Sequence, residues 1–360
     1  MNGLNARGGI GGRRINPIFA TVDTASASWT TQYQAACATF TQDHHVVAVL
    51  GYSFAYEENL AACLARAGVL WINGGYGAGD LRVYRSLPYY FSDIAPSEDA
   101  ELVVSVSSAV EDGWVTTKSK LGILQANCNT DARAFDNSLK PYLEAHHLQL
   151  VSNEVINCVT GAQDDGSAAA RIQQAELHMR TNGVDNVIIT GIPLILFGED
   201  AESQQWRPHY LAFLGGGVYQ SYLPPAQLSN IHAVGWLPTL DLDAAHLPPL
   251  TAAQKECKDL LHAGGIDIPP SQYNSAFIAC DGVLLYAQGV TQAGGATAPA
   301  AVSNALQSLG NRHVSPMTLN GATLFTPSQH AAPQTYRSNL YQSGCSCFEY
   351  VGPVRPLPTL

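Results

Sequence analysis

The chain has 360 residues, of which 46% are hydrophobic and 13% charged, and 29 acidic against 18 basic side chains give a net charge of −11. This length is enough for two or three compact units with cores of their own. A uniformly acidic chain is repelled by nucleic-acid phosphates and anionic lipid headgroups, and no stretch approaches the roughly 18 apolar residues of a membrane span. The composition therefore favours a globular protein that handles small molecules.

Apolar runs of strand length alternate with helical stretches along most of the chain. The predicted strands are 15–22, 45–50, 69–72, 120–125, 148–154, 184–190, 210–214 and 233–237. The predicted helices are 28–41, 56–66, 98–112, 131–145, 167–181, 254–261 and 271–292. Such alternation is typical of βαβ units and of a parallel sheet covered on both faces. The predicted fold class is therefore α/β.

The strand and helix pattern divides into two similar series, one before about residue 113 and one from about 118 to 236. After Pro238 the chain is helix-dominated to Leu309 and ends in a tail with strand patterns. Helices without new strands must cover a sheet already built, so we expect this segment to return to the first lobe. The predicted lobes are 1–115 with 239–330, and 116–238 with 331–360. Several crossovers would permit closure while restricting its direction.

The eight cysteines lack the repeated Cys-x-x-Cys pairs of zinc sites. Successive cysteines 26, 30 and 23 residues apart favour three disulfides, which would join Cys37 to Cys63, Cys128 to Cys158, and Cys257 to Cys280. Cys345 and Cys347 stay undecided because they lie near the distance limit of a bridge. Disulfides predict an extracytoplasmic location, although residues 2–14 lack the apolar region of an export signal; eight buried thiols are the alternative.

The glycine-rich residues 74–80 follow a predicted strand, which is the position of a dinucleotide-binding loop. A fingerprint that begins at Gly75 and Gly77 needs a third glycine where Asp80 stands, and that carboxylate would repel a pyrophosphate. A flexible ligand loop is the better interpretation. Adjacent histidines cannot chelate one metal together, and no nucleophile stands beside a base. The sequence therefore predicts no metal site and no cofactor, and it predicts that the protein is not an enzyme.

Residues 5–15, Asn-Ala-Arg-Gly-Gly-Ile-Gly-Gly-Arg-Arg-Ile, resemble the Asn-x-x-Gly-Gly-Ile-x-Gly-Arg segment of type 1 periplasmic binding proteins of the branched-chain amino acid receptor type. Further matching segments follow in that family's order, at 46–51, 68–73, 120–124, 183–187 and 235–238. The resemblance covers nearly the whole chain. It implies two Rossmann-like lobes with parallel central sheets, joined by three crossovers, with a ligand cleft between them that closes like a flytrap.

The resemblance also implies a function. Members of the family are extracytoplasmic substrate-binding proteins that capture a small solute and deliver it to an ABC permease in the membrane, without a nucleic-acid partner. The alternative is a ligand-sensing receptor domain that signals through a partner protein. Family members begin with a strand and helix before the segment that starts here at residue 5, so we expect the central strand of the first lobe to be missing from this sequence.

Amino acid receptors of the family hold the ligand carboxylate with hydroxyls and backbone amides, and the ammonium with an acid. Here Gly77 stands where a threonine is expected, and Ala55 stands near the usual serine, with Ser53 as a possible substitute. The loop 214–219 has no acid, and Asp131 at a predicted helix start is the nearest one. A buried ammonium without a counter-charge costs several kcal/mol, so a plain amino acid is disfavoured.

The residues that align with the ligand-binding loops of the family are mainly aromatics, amides and aliphatics. They are Tyr52, Ser53, Phe54, Asn73, Gly75 and Tyr76 in the first lobe, and Asn127, Asn129, Ile192, Leu194 and Tyr219 in the second. Such side chains favour a neutral, aromatic or partly apolar solute held by stacking and a few hydrogen bonds. The alternative is that several of them only pack at the bases of loops.

Overall fold

The computed structural model describes residues 1–23, 25–26, 28–51, 57–189, 193–239, 241–242 and 247–360. The chain forms two compact units. Unit 1 comprises Met1–Thr24, Trp29–Ser97 and Leu237–Thr335, and unit 2 comprises Ala25–Ser28, Glu98–Trp236 and Tyr336–Leu360. Within the described ranges, no helix combines the length and the apolar character needed to cross a membrane.

The secondary structure alternates between helices and strands up to residue 235. The α-helices are α1 (Asn2–Ala6), α2 (Trp29–Ala38), α3 (Glu58–Arg66), α4 (Leu81–Ser86), α5 (Glu98–Glu111), α6 (Asn129–Ala134), α7 (Lys140–Ala145), α8 (Asp165–Thr181), α9 (Pro193–Ser203), α10 (Pro225–Leu228), α11 (Ala252–Ala263), α12 (Tyr273–Gln292) and α13 (Pro299–Gln307). The strands are β1 (Ala48–Gly51), β2 (Leu70–Asn73), β3 (Tyr90–Ser92), β4 (Lys120–Ala126), β5 (Gln149–Ile156), β6 (Asn186–Ile189), β7 (His209–Ala212), β8 (Ile231–Gly235), β9 (Thr335–Gln342) and β10 (Cys347–Pro356).

Unit 1 is built on a parallel sheet of three strands in the order β1-β2-β3. The middle strand β2 is fully buried, and its side chains alternate between two cores. Trp71 packs in the cluster beneath α2 and α3, whereas Leu70 and Ile72 pack in the cluster with α12 and α13. Covering both faces by helices explains why this strand is continuously apolar in the sequence.

The predicted strand at 15–22 is wrong. Residues 14–22 run as irregular chain, in which Asn5 Nδ2 donates to Ile15 O (2.9 Å) and Ile15 N donates to Asn5 Oδ1 (2.7 Å). Among the described residues, β1 pairs only with β2. A strand requires a neighbouring strand for its N–H and C=O groups, and the local apolar pattern cannot supply one.

Unit 2 contains a sheet of seven strands in the order β10-β9-β8-β7-β6-β4-β5. Strands β4 to β8 are parallel, as predicted, but β9 runs antiparallel to β8, with His232 opposite Leu340. The strand pattern in the C-terminal tail did not indicate whether these strands run parallel or antiparallel to their neighbours. A strand that enters the sheet from a long return segment can pair in either sense.

The boundary between the units differs from the predicted one at helix α5. The sequence placed residues 1–115 in the first lobe, whereas α5 belongs to unit 2. Its apolar face supplies Leu102, Val106 and Ala109 to the cluster formed by Leu121 and Ile123 of β4. The unit boundary therefore lies before this helix, because the helix buries its apolar face on the sheet of unit 2.

The structure joins the three cysteine pairs predicted from the sequence. The bridges link α2 to α3, the end of β4 to the segment after β5, and α11 to α12, with Cα–Cα distances of 6.4, 4.8 and 5.9 Å. A fourth bridge joins Cys345 to Cys347 beside the start of β10. The first three hold separate elements together, while the fourth spans a single residue.

Candidate functional site

The loop that follows β2 in unit 1 is organised by Asn73. This side chain is fully buried; its Nδ2 donates to Gly77 O (2.9 Å) and to Tyr90 Oη (3.1 Å), and its Oδ1 accepts from Gly75 N (3.0 Å). Asn73 therefore uses its amide to shape the loop. The loop predicted to be flexible is held by these hydrogen bonds, and at its end Asp80 Oδ1 accepts from Val83 N (3.0 Å) as the cap of α4.

Tyr76 is the aromatic side chain of this loop and is partly buried. Burial raises the pKa of its phenol, which keeps the hydroxyl neutral over the physiological range. A neutral phenol offers a ring face for stacking and an O–H group for one hydrogen bond. Gly75, also predicted as a ligand residue, is buried, and its N–H is the group that donates to Asn73 Oδ1.

A buried acid lies against the base of the same loop and was missed by the sequence analysis. Asp93 follows β3, is fully buried, and places its carboxyl within 3.6 Å of the position that a Cβ at Gly74 would take. Burial, together with the neighbouring carboxylate of Asp281, raises the pKa of Asp93 well above its usual range. Asp281 itself is held by His313, whose Nε2 lies 2.8 Å from Asp281 Oδ1, and by Ser315.

The corresponding loop in unit 2 follows β4. Asn127 and Asn129 are exposed there, and Asn127 Oδ1 accepts from Cys158 N (2.6 Å). The Cys128–Cys158 disulfide stands beside this hydrogen bond and ties the loop to the segment after β5. A covalent bridge and a backbone contact thus fix this loop, on which both asparagines are exposed.

Three carboxyl groups cluster behind this loop. Glu98 and Glu101, one turn apart on α5, face Asp131 in the first turn of α6, and Glu98 hydrogen-bonds to Asp131. Glu101 is 3% exposed. Burial and repulsion from Asp131 raise the pKa of both glutamates well above the usual range, and burial raises the pKa of Asp131 as well. Asp131 therefore belongs to this cluster while it also lies in the first turn of α6.

The sequence could have indicated the cluster only in part. Glu98 and Glu101 stand three residues apart just before the mainly apolar run 102–106, which suggests burial of at least one of them. The assignment of α5 to the first lobe separated these glutamates from Asp131, however, so the sequence placed no further acid near that residue.

Two predicted ligand residues of unit 2 lie in its hydrophobic core. Leu194 is fully buried and Tyr219 is 3% exposed, and both pack in the cluster with Phe348. This packing agrees with the alternative interpretation for residues at loop bases, and contact of either residue with a solute stays a prediction. Four other predicted residues fall outside the described part of the chain: Tyr52, Ser53, Phe54 and Ile192.

Glu101→Gln is expected to stabilise the protein at neutral pH. Because the pKa of Glu101 is raised in the fold, its stabilising contribution is complete below the unfolded pKa of about 4.3 and is lost as pH rises through the folded pKa. Glutamine stays neutral at every pH. Differential scanning fluorimetry at pH 7 should show a melting temperature about 2–4 °C above that of the wild type, which corresponds to a gain of roughly 1 kcal/mol in the free energy of unfolding.

The exposed Glu256→Gln on α11 is the matched control and should leave the melting temperature unchanged. The difference between Glu101→Gln and the wild type should shrink as the pH is lowered toward 4, because the carboxyl then becomes protonated in the unfolded wild-type chain as well as in the folded one. An equal or lower melting temperature for Glu101→Gln at pH 7 would contradict the assignment of a destabilising charge at this position.

Comparison with known proteins identifies the family of this chain. A sequence model of the periplasmic binding proteins matches residues 1–339. The chain belongs to the periplasmic binding protein family. This confirms the resemblance identified from residues 5–15 and the later segments. No sequence among the curated proteins matches this binding protein.

Solved structures of solute-binding proteins share the fold. Two are ABC-transporter proteins from R. palustris, one in complex with 4-hydroxybenzoate (TM-score 0.69, 16% identity, covering 99% of this chain and 91% of that chain) and one with benzoate (0.67, 18%, 98% and 91%). The branched-chain amino acid transporter substrate-binding protein LivJ from Streptococcus pneumoniae, in complex with isoleucine, is similar too (0.64, 19%, 97% and 91%). The predicted type 1 periplasmic binding fold is confirmed.

Proposed function

We propose that this periplasmic binding protein captures a small solute outside the cytoplasm and delivers it to an ABC permease. The observation that carries the proposal is the family match over residues 1–339. The similar solved structures support it, because they are solute-binding proteins of ABC transporters. Four disulfides suit an oxidising compartment outside the cytoplasm.

The chemistry of the two loops favours a neutral, aromatic or partly apolar solute. In unit 1, Tyr76 supplies a ring, and the one acid of the loop, Asp80, is engaged as a helix cap. In unit 2, Asn127 and Asn129 supply amides. Asp131 hydrogen-bonds to Glu98 and has a raised pKa, which makes it a poor counter-charge for an ammonium group. Two of the similar solved structures hold hydroxybenzoate or benzoate, which are aromatic solutes.

A thermal-shift screen of several hundred solutes, combined with chromatographic analysis of the solute afterwards, tests the proposal. A ligand that binds only the folded chain stabilises it by about 2.7 kcal/mol at a hundredfold excess over its dissociation constant. We expect at least one neutral or aromatic solute to raise the melting temperature and to be recovered unchanged. Continuous formation of a product would overturn the assignment as a binding protein.

Tyr76→Ala is expected to weaken binding of such a solute. Loss of a stacked ring removes about 1–3 kcal/mol of binding free energy, which corresponds to roughly 5- to 150-fold in the dissociation constant measured by calorimetry. Tyr76→Phe should retain most of the affinity. Tyr222→Ala, which removes an exposed ring of unit 2, is the matched control and should leave the affinity unchanged.

The same titrations examine the role of Asp131. Asp131→Asn should leave affinity for a neutral solute unchanged. Tight binding of leucine or valine that is abolished by Asp131→Asn and insensitive to Tyr76→Ala would show that an ammonium group, rather than a ring, is what the site recognises.

A further inference from the structure

The turn between β9 and β10 carries chemistry that solute capture does not use. Cys345 is exposed at this turn and is bridged to Cys347 at the first position of β10, with Cα atoms 5.2 Å apart. Ser346 between them has φ +53°, in the left-handed region. Its carbonyl oxygen accepts from Gln220 Nε2 (2.7 Å), which anchors the turn.

This bridge differs from the other three in what it holds together. The other disulfides close loops of 23 to 30 residues. Cys37 and Cys257 are 1% and 0% exposed and Cys128 and Cys158 are half-buried, whereas Cys345 is exposed. The stabilisation that a disulfide gives through loop closure grows with the number of residues enclosed. The Cys345–Cys347 bridge encloses one residue, and β9 and β10 are already hydrogen-bonded neighbours in the sheet. A reductant can therefore reach it and open it without unfolding the hairpin.

Opening the bridge creates a set of metal ligands. The ligand atoms of Cys345, Cys347 and Glu349 all lie within 4.8 Å of one another, and Cys345 Sγ is 4.0 Å from Glu349 Oε1. Glu349 is two residues beyond Cys347 on β10, so both side chains leave the strand on the same face. Ligand atoms of a tetrahedral zinc site with bonds of about 2.3 Å stand about 3.8 Å apart, which is close to the distance between Cys345 Sγ and Glu349 Oε1. The two sulfur atoms are bonded to each other in the disulfide and can move apart to ligand distance once it is reduced.

We propose that the Cys345–Cys347 pair is a thiol–disulfide site that binds a thiophilic divalent cation such as Zn²⁺ once it is reduced. A dithiol reductant supplies two electrons and two protons; the S–S bond breaks, two cysteine thiols form, and the reductant becomes its own disulfide. Metal binding then displaces both thiol protons to solvent. Two thiolates and the Glu349 carboxylate hold the cation, and a water molecule completes the tetrahedron.

The redox half of the proposal is tested by graded reduction of the full-length protein. The protein is equilibrated with increasing dithiothreitol, alkylated with iodoacetamide and analysed by peptide mass spectrometry, with circular dichroism recorded on the same samples. We expect Cys345 and Cys347 to be alkylated at a dithiothreitol concentration at least tenfold below that needed for any other cysteine, with an unchanged spectrum. Reduction of all four bridges over the same concentration range would overturn the proposal.

The metal half is tested by competition for Zn²⁺ with a chromophoric chelator after selective reduction. We expect one additional equivalent of Zn²⁺ relative to the variant Cys345→Ser/Cys347→Ser, which controls for binding by surface histidines. Glu349→Gln should weaken binding by about tenfold, whereas Glu144→Gln, an exposed glutamate on α7, should not change it. Equal binding by the reduced protein and the double serine variant, or no effect of Glu349→Gln, would overturn the three-ligand site.

Discussion

Replacing Arg355 with alanine is expected to lower the free energy of unfolding of unit 2 by about 1–3 kcal/mol. This guanidinium, 17% exposed, holds the C-terminal strand β10 to the end of α5: its Nη1 lies 2.8 Å from Glu111 Oε2 and 3.0 Å from Asp112 Oδ1. Asp112 also faces His232 Nε2 of β8 at 2.9 Å. Removal of the arginine leaves the Asp112 carboxylate without its main counter-charge.

Urea unfolding followed by tryptophan fluorescence measures this loss, because Trp114 packs on His232, with ring centroids 5.3 Å apart. Arg355→Lys should recover only part of the stability, since one ammonium cannot replace the guanidinium donors that reach both acids. Arg180→Ala, at an exposed arginine on α8 in the same unit, is the control and should cost less than about 0.5 kcal/mol. A loss of that small size for Arg355→Ala would show that the network is only a surface ion pair.

The same network predicts a pH dependence. Burial alone would raise the pKa of Asp112, but hydrogen bonds from His232, Arg355 and Ser338 outweigh it and hold that pKa well below the ordinary value. A depressed carboxyl pKa contributes stability that is present above the unfolded pKa of about 3.9 and is lost as pH falls toward the folded pKa. The difference between wild type and Arg355→Ala should therefore be largest near pH 7 and should decrease below about pH 4.

Gly216→Ala is the second substitution with a large expected effect. A Cβ at this position would lie 2.0 Å from Cδ1 and Cε1 of Phe348, which is 1% exposed in the core of unit 2. The ring is packed in the core cluster, and the N–H of Gly216 donates to Asn339 Oδ1 (2.5 Å), which holds the backbone in place. Overpacking of this kind costs about 2–3 kcal/mol.

Denaturant unfolding again provides the measurement. Gly344→Ala is the matched control, since a Cβ there meets nothing within 4 Å. Combining Gly216→Ala with Phe348→Leu should cost less than the sum of the two single substitutions, because the smaller side chain makes room for the new methyl group. Additive losses would mean that the cost at Gly216 does not come from contact with Phe348.

The sequence correctly predicted those elements whose formation depends on residues that are near one another in the chain. The run Leu70-Trp71-Ile72 indicated a strand buried on both faces, and cysteine spacing indicated three bridges between successive elements. The strand predicted at 15–22 failed because pairing depends on a neighbour that the local pattern does not contain. The short strand β3 was missed, since three residues are too few to show a period.

The sequence predicted which loops lie at strand ends, but not which of their side chains are buried or exposed. The segments after β2 and β4 were correctly placed at strand ends, where parallel sheets present their loops. Burial of Leu194 and Tyr219, however, depends on the whole core of unit 2. The cluster of Glu98 and Glu101 with Asp131 depends on which sheet α5 covers, and a helix pattern does not encode that choice.

Equilibrium dialysis against a mixture of solutes tests whether the protein binds a small solute without altering it. The protein is dialysed against equal concentrations of neutral aromatic compounds, benzoates and amino acids, and the solute retained with it is identified and quantified by mass spectrometry. We expect the protein to retain up to one molar equivalent of a solute that lacks an α-ammonium group, chemically unchanged, and Tyr76→Ala to retain less of it. Retention of no solute, retention of an amino acid, or release of a chemically altered solute would contradict the proposed function or its proposed solute class.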